Sequence, residues 1–399
     1  MRRRLHIVAL VLVLVAELPL LIPPPFGLTD HLIFWFAGHL AASGGSPYDM
    51  AAWTEAQRTY ASGHLSQFLD RGDPVWIYPA WSVLLFVPFG LLPYPAGPWV
   101  LYLAYIATGL LAAALFIRSL PIRRQSGAEI AIVLVAMFQP LVIANRYGQF
   151  GSFLLLGLVL VYLGLRDRRT GPFVVGALLL FAKPQLFLVL VPVALIVLVR
   201  ARAWRLIATT AVTLSTVAVV TTLRFPESLA FFGRGVADRT DVFTIYSTTW
   251  AFAHFVAPSL WLPVGIAFVA TAAMATIAAI RSLAPDLRLA GIVAGAALLS
   301  IVVAPVDFHY DQAPLLLAIV LAVAVGRRPY QIALTWVVAA VVPWFVFFIE
   351  LSVGGRDSQS LSGIVPLLIA PLLWFAARGS SPEMIPSSPA IANTPATLE

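Results

Sequence analysis

The chain contains no cysteine, which excludes disulfide staples, thiolate metal sites and thiol nucleophiles. Charge is scarce as well. Only 11% of the 399 residues are Asp, Glu, Lys or Arg, against about 25% in soluble domains. Most of the chain is therefore not built for water. No stretch of domain size has soluble composition, and no repeat of solenoid type recurs. A formal charge of +7 is not a nucleic-acid signal here, because most arginines stand in short loops between apolar runs, where they set orientation.

What the chain has is hydrocarbon. Runs of about 17 to 20 apolar residues, each long enough to cross a bilayer core as a helix, recur up to residue 377. The expected fold class is an all-α polytopic membrane protein.

The arginines give a topology. MRRR at Met1–Arg4 precedes the run Leu5–Ile22. PLLIPPP lacks a small-residue cleavage site, so the run reads as an uncleaved anchor with a cytoplasmic N-terminus. The short loops RDRRTG (Arg166–Gly171), RARAWR (Arg200–Arg205), RSLAPDLR (Arg281–Arg288) and GRRPY (Gly326–Tyr330) are basic and hence cytoplasmic. RSLPIRRQSG (Arg118–Gly127) and the tail after Arg378 join them. The loops between, near 145–152, 183–184, 224–257, 304–311 and 350–360, then face outside, as does 30–75.

Parity requires an odd number of crossings between that first outer loop and Arg118, yet two apolar runs lie there, Trp76–Leu92 and Trp99–Ile117. The first carries Pro79 and Pro88, so it is expected to be a re-entrant or broken helix lining a cavity. That leaves about 12 transmembrane helices, with juxtamembrane helices in the first outer loop. Residues 1–378 are expected to form one transmembrane domain, and 379–399, rich in Ser, Pro and Thr, a disordered cytoplasmic tail.

Polar groups gather at the expected outer side. Asp30 follows the first apolar run within GLTDHLIFWFAGHLAASGGSPYD. Thr29 or Asp30 can cap a helix over His31–Ala42, or the carboxylate can carry chemistry. That helix is apolar on most sides, which suits an interfacial helix lying on the membrane. Lys183, in LLLFAKPQLFLVL, stands between the runs Phe173–Ala182 and Pro184–Val199, where Pro184 breaks the helix. It can snorkel to headgroups or meet a phosphate. Arg224 and Arg146 can add positive charge on the same side. The outer turn APVDFHYDQ holds Asp307, His309 and Asp311, a set suited to a sugar, a phosphate, a divalent metal or a plain polar turn.

Several stretches in order carry a family resemblance. They are the acidic residue after the first span, GGSPYD (Gly44–Asp49), YPAWSVLLFVPFGLLP (Tyr78–Pro93), RYGQFGSFLLLGLVL (Arg146–Leu160), GPFVVGALLLFAKPQ (Gly171–Gln185) with the basic RARAWR, and APVDFHYDQ. Over roughly residues 28–330 the chain resembles the polyprenol-phosphate-sugar-dependent glycosyltransferases of the C-type superfamily. Within them it is most similar to glycosyltransferase family 87, which includes bacterial alpha-1,2-mannosyltransferases.

The resemblance implies a catalytic carboxylate at Asp30, a Gly-Gln motif at Gly148 and Gln149, and the family's lysine at Lys183. Gly151 stands where the family usually has Asn, and Ala80 where it usually has Pro, departures that bear on donor and acceptor. The implied reaction moves a hexose, mannose by the family lean, from a polyprenyl-phosphate donor to a lipid-linked or glycan acceptor at the outer face of the plasma membrane. Asp30 is the expected base, and Lys183, Arg224 and Arg146 the expected phosphate partners. Gln149, Tyr48, His309 and His31 are candidate substrate contacts. No metal and no cofactor are expected, since phosphate stabilisation by cations is electrostatic. Membrane lipids surround the chain, and no nucleic acid is expected as a partner. A transporter or lipid flippase is the competing class, because broken helices and an intramembrane lysine occur there too.

Overall fold

The computed structural model describes residue 26, residues 29–60, 75–120, 133, 136–230, 247–305, 307–326, 328–353 and 356–378. The expected anchor Leu5–Ile22 and the tail 379–399 lie outside them. No strand occurs among the described residues.

The principal helices in chain order are α1 Asp30–Ala42, α2 Met50–Thr59, α3 Ala96–Ser119, α4 Gln139–Tyr147 and α5 Gly151–Asp167. There follow α6 Thr170–Leu180, α7 Leu190–Arg200, α8 Trp204–Arg224, α9 Thr249–Val256 and α10 Trp261–Ser282. The last are α11 Arg288–Val303, α12 Leu316–Val325, α13 Pro329–Trp336, α14 Val342–Val353 and α15 Ile364–Arg378. A π-turn at Val337–Val341 joins α13 to α14 in one rod.

Among the described residues, six helices are long and apolar enough to cross a bilayer: Ala96–Ser119, Trp204–Arg224, Pro258–Ser282, Pro285–Val303, Pro329–Ser352 and Gln359–Arg378. The chain is thus a polytopic helical membrane protein, but the expectation of about 12 spans is not supported. Two of the counted apolar runs are short, and the expected anchor Leu5–Ile22 lies outside the described residues. At 1.5 Å rise per residue, the 11 residues of α6 and the 11 of α7 reach about 16 Å each, roughly half the hydrocarbon thickness. Pro184 ends α6, because the ring disfavours helical backbone at the residue before it. A 3-10 turn, Pro184–Phe187, fills the gap. Trp76–Leu92, which is not counted among the twelve, is broken as expected, into a 3-10 segment Ala80–Leu85 and a one-turn helix Val87–Gly90.

Broken backbone inside a membrane protein must find partners in the protein. It does. The Trp81 indole donates to the Phe181 carbonyl at 3.0 Å, where α6 has just ended. At the start of α7 the amides of Val189 and Leu190 both donate to Ser300 Oγ at 3.0 Å. Ser300 belongs to α11 and donates its own proton to Ala296 O at 2.8 Å. One hydroxyl therefore caps a helix on a different span.

The core sits around α11 and α12. Nearly every residue of α12 is buried, as befits a helix that is apolar on all sides. By contrast α8 is peripheral, with only 17% of its apolar window inside the protein against 61% for α11.

The same rule corrects the expected placement of α1. Leu32, Ile33, Phe34, Trp35, Phe36 and Ala37 are all buried in protein, so this helix is an internal element rather than one lying on the bilayer. It packs on the broken Trp76–Leu92 stretch at Gly38 and Gly90. A Cβ on Gly38 would meet the Phe86 carbonyl oxygen at 2.2 Å. Trp35 Nε1 donates to Leu92 O at 3.0 Å, and His39 Nδ1 bonds Gly90 O at 3.0 Å.

Arg118, Arg166 and Arg200 each stand in the last turn of α3, α5 and α7. The 17 residues of α5 separate Arg166 from Gln149, at its other end, by about 25 Å.

Candidate active site

Four chain breaks meet at the start of α5. The first is the α4–α5 turn. Gly148 N–H donates to Asn145 O at 3.3 Å and Gln149 N–H to Ala144 O at 2.7 Å. That pattern is a Schellman C-cap, with Gly148 in the left-handed region at φ +80°. The turn thrusts the Gln149 side chain out of the helix line. The second break is the N-terminus of α1, which presents Asp30. The third is the α6–α7 gap with Lys183, and the fourth is the 3-10 segment His309–Leu315 with Asp311.

Their side chains form one hydrogen-bonded line. Lys183 Nζ donates to Asp311 Oδ1 at 2.6 Å and to Gln149 Oε1 at 3.4 Å. Gln149 Nε2 in turn donates to Asp30 Oδ2. The Tyr78 hydroxyl lies 3.5 Å from Gln149 Oε1. Lys183 is buried, and its ammonium is ringed by Tyr78, Phe150 and Tyr310, whose centroids lie 5.6, 5.8 and 5.5 Å away. Each face adds a modest attraction to a desolvated cation. Asp307, fully buried in the same turn, is held well above the usual carboxylate range by burial and then by the Asp311 carboxylate, with Lys183 pulling the other way. A protonated Asp307 leaves Lys183 and Asp311 as a balanced pair.

A cavity of about 300 Å³ opens on this line, with Thr29, Asp30, Tyr147, Gln149, His309, Tyr310, Phe347, Glu350 and Gln359 among its walls. A second cavity, of about 250 Å³, is apolar and lies between α5, α6, α7 and α8. Phe181 and Pro184, on either side of Lys183 in sequence, help to line it.

The remaining candidates are dispersed. Tyr48 is buried, and its hydroxyl donates to the Tyr78 carbonyl at 3.0 Å, one layer behind Gln149. His31 is fully buried beside Thr29, with Nδ1 3.0 Å from Thr29 Oγ1, and its ring meets those of Tyr102 and Tyr105. Arg146 lies near Tyr102, one residue before the cavity-lining Tyr147. Arg224 donates to the Gly44 carbonyl and sits 4.9 Å from the Phe225 ring centroid, at the end of α8. It makes no described contact with Lys183.

Thr29 is the N-cap of α1 and makes no side-chain cap bond. The cap position belongs to Thr29, and Asp30 stands in the first helical turn. Sequence reasoning missed Tyr78, Tyr310, Glu350 and Gln359 as site neighbours. Glu350 had a signal, being a lone carboxylate within the apolar run FVFFIELSV, a placement that by default suggests a function.

Two tests arise from this packing. A Cβ at Gly148 would meet His31 N at 2.5 Å and its ring at 2.8 Å. Gly148→Ala therefore strains a left-handed residue, at about 1–3 kcal/mol, and displaces α1. Its melting temperature in detergent should fall, and transfer activity should fall with it. The second concerns acid. Burial pushes His31 down to about 3 from 6.5, against an opposing pull from the Asn145 backbone. The unfolded chain then binds the extra proton below pH 6.5, so stability is complete above that pH and declines toward pH 3 by up to about 1.4 kcal/mol per unit. His31→Gln should flatten this part of the melting-temperature profile between pH 6.5 and 4; an unchanged slope would reject a buried neutral His31.

Residues 76–305 match glycosyltransferase family 87. The match is narrower than the resemblance read from motifs, starting after Asp30 and stopping before Asp307, and it includes Gln149 and Lys183. No curated protein and no solved structure matches the chain. More than half of the residues are covered, among them the turn and the broken helix that build the site: the chain belongs to glycosyltransferase family 87 and is a membrane glycosyltransferase.

Proposed function

We propose that the chain moves a hexose, mannose by family resemblance, from a polyprenyl-phosphate donor to a lipid-linked or glycan acceptor, with inversion at the anomeric carbon. The observation that carries this reading is a carboxylate, Asp30, held at a cavity by Gln149. Asp30 takes the proton of the acceptor hydroxyl as that oxygen attacks the anomeric carbon. The bond from that carbon to the phosphate oxygen breaks, and its electron pair leaves with the phosphate. Attack from the opposite face inverts the centre in one displacement. A positioned base contributes about 10²–10⁴ in rate.

Lys183 is the proposed phosphate partner. An ammonium has three donors, and Asp311 and Gln149 take two of them. Arg146, next to Tyr147, and Arg224, at the α8 end, supply longer-range positive potential. Gln149 and His309 contact substrate at the cavity wall, while Tyr48 and His31 support that wall from behind. The apolar cavity beside Phe181 and Pro184 would take the polyprenyl chain, so that Lys183 stands between the lipid and the sugar. Arginine-rich loops lie at the far end of α5, and the positive-inside rule then directs the site to the outer face of the plasma membrane.

A transporter would place its polar site near the midplane between repeats, whereas the polar line here sits where helices end. Purified protein in vesicles, given a labelled polyprenyl-phosphate hexose and a lipid acceptor, should accumulate label on the acceptor. Label that only changes sides of the membrane would instead identify a carrier.

A further inference from the structure

The cavity has a second polar wall, of which the proposed transfer uses only His309. Glu350, on α14, is 4% exposed. Its Oε1 accepts from the Ser362 amide at 2.8 Å and its Oε2 from the Ser362 hydroxyl at 2.6 Å. Two bonds to one residue fix the plane of the carboxylate. Gln359, from the following 3-10 segment, has a buried Oε1 with no hydrogen-bond partner. Both ring nitrogens of His309 are likewise buried and unpartnered, on a residue only 8% exposed. All three residues line the cavity that Asp30 and Gln149 line.

Buried polar atoms in native proteins are almost always satisfied, so unpartnered ones on residues that line a cavity point to a ligand that satisfies them. The chemistry narrows that ligand. A carboxylate repels phosphate, and unpartnered polar atoms are wasted on a polyprenyl chain. A fixed carboxylate accepts from a hydroxyl, an amide both donates and accepts, and a neutral imidazole does one of each. Phe347 and Tyr310 add flat apolar surface to the same walls, which suits the C–H face of a pyranose. The volume, about 300 Å³, lies at the small end of ligand pockets.

We infer that Glu350, Gln359 and His309 form the hydroxyl-reading wall of the site, with Glu350 setting which pyranose epimer is accepted. The inference rests on the transfer reading above and adds the residues that give it specificity. Sites built to bond a hydroxyl reject analogues that lack it far more strongly than apolar pockets reject a missing methylene.

The test compares kcat/KM for a polyprenyl-phosphate hexose, its deoxy analogues and an epimer, with a parallel set of deoxy acceptors. The wild type should lose tenfold or more for at least one missing hydroxyl. In Glu350→Gln the penalty for that one position should shrink at least tenfold while the other penalties persist. The substituted amide keeps an acceptor for the Ser362 amide and a donor for its hydroxyl, so the fold should survive, checked by melting temperature. Gln359→Leu, which breaks no described hydrogen bond, should relax a different position. Loss of discrimination among donor analogues assigns the wall to the donor sugar, and among acceptor analogues to the acceptor sugar; either supports a hydroxyl-reading wall. Full discrimination retained by both variants overturns it. If the wild type transfers no hexose at all, the transfer reading itself fails and the inference falls with it.

Discussion

Asp30→Asn should lower sugar transfer by more than about 10²-fold while the protein stays folded. The two halves of that result come from different physics. Asn cannot take the acceptor proton, so in the proposed mechanism the chemical step loses its base. The structural cost is small because Asp30 is not the cap of α1: Thr29 holds that position. What Asp30 gives the helix is one negative charge in its first turn, about 0.3–1 kcal/mol. The Gln149 amide, which donates to Asp30 Oδ2, still finds a carbonyl oxygen in Asn. Melting temperature should therefore move little while turnover collapses. Activity within tenfold of the wild type would remove Asp30 from the chemistry.

Lys183→Met should be damaging in two separable ways. It leaves Asp311, 3% exposed, as a buried charge without its partner, an event that costs about 3–5 kcal/mol. Asp307, already pushed up by burial and by Asp311, offers no compensation. It also removes one of the two donors to Gln149 Oε1, leaving the Tyr78 hydroxyl. Replacing both members of a buried pair is often neutral for stability, so Lys183→Met combined with Asp311→Asn should recover much of the lost melting temperature. It should not recover transfer, because in the proposed mechanism the phosphate still lacks its cation. Recovery of both in the double variant would make the pair purely structural and reject the phosphate role.

Composition made the fold class legible, since so little charge leaves no alternative to membrane burial for 399 residues. Prolines marked the breaks: Pro184 stops α6 before Lys183, and the stretch holding Pro79 and Pro88 is not a spanning helix. The number of spans was not legible, because run length alone cannot tell a helix that crosses from two 11-residue helices joined by a 3-10 turn. The gathering of Asp30, Gln149, Lys183 and Asp311 is a tertiary fact. Sequence order pointed to each of them, but only packing shows Gln149 between the lysine and the carboxylate. It also shows Arg224 on the Gly44 carbonyl, with no described contact to Lys183. Glu350 sits at the end of an apolar helix rather than in the expected outer loop 350–360, and only packing brings it to the cavity.

The most direct measurement is a structure of the protein with a polyprenyl-phosphate sugar analogue bound. The expected result puts the phosphate beside Lys183, the lipid chain along Phe181 and Pro184, and the sugar ring between Asp30 and Glu350. A phosphate bound instead at the arginine end of α5, beyond Arg166, would contradict the assignment of this cavity as the site of transfer.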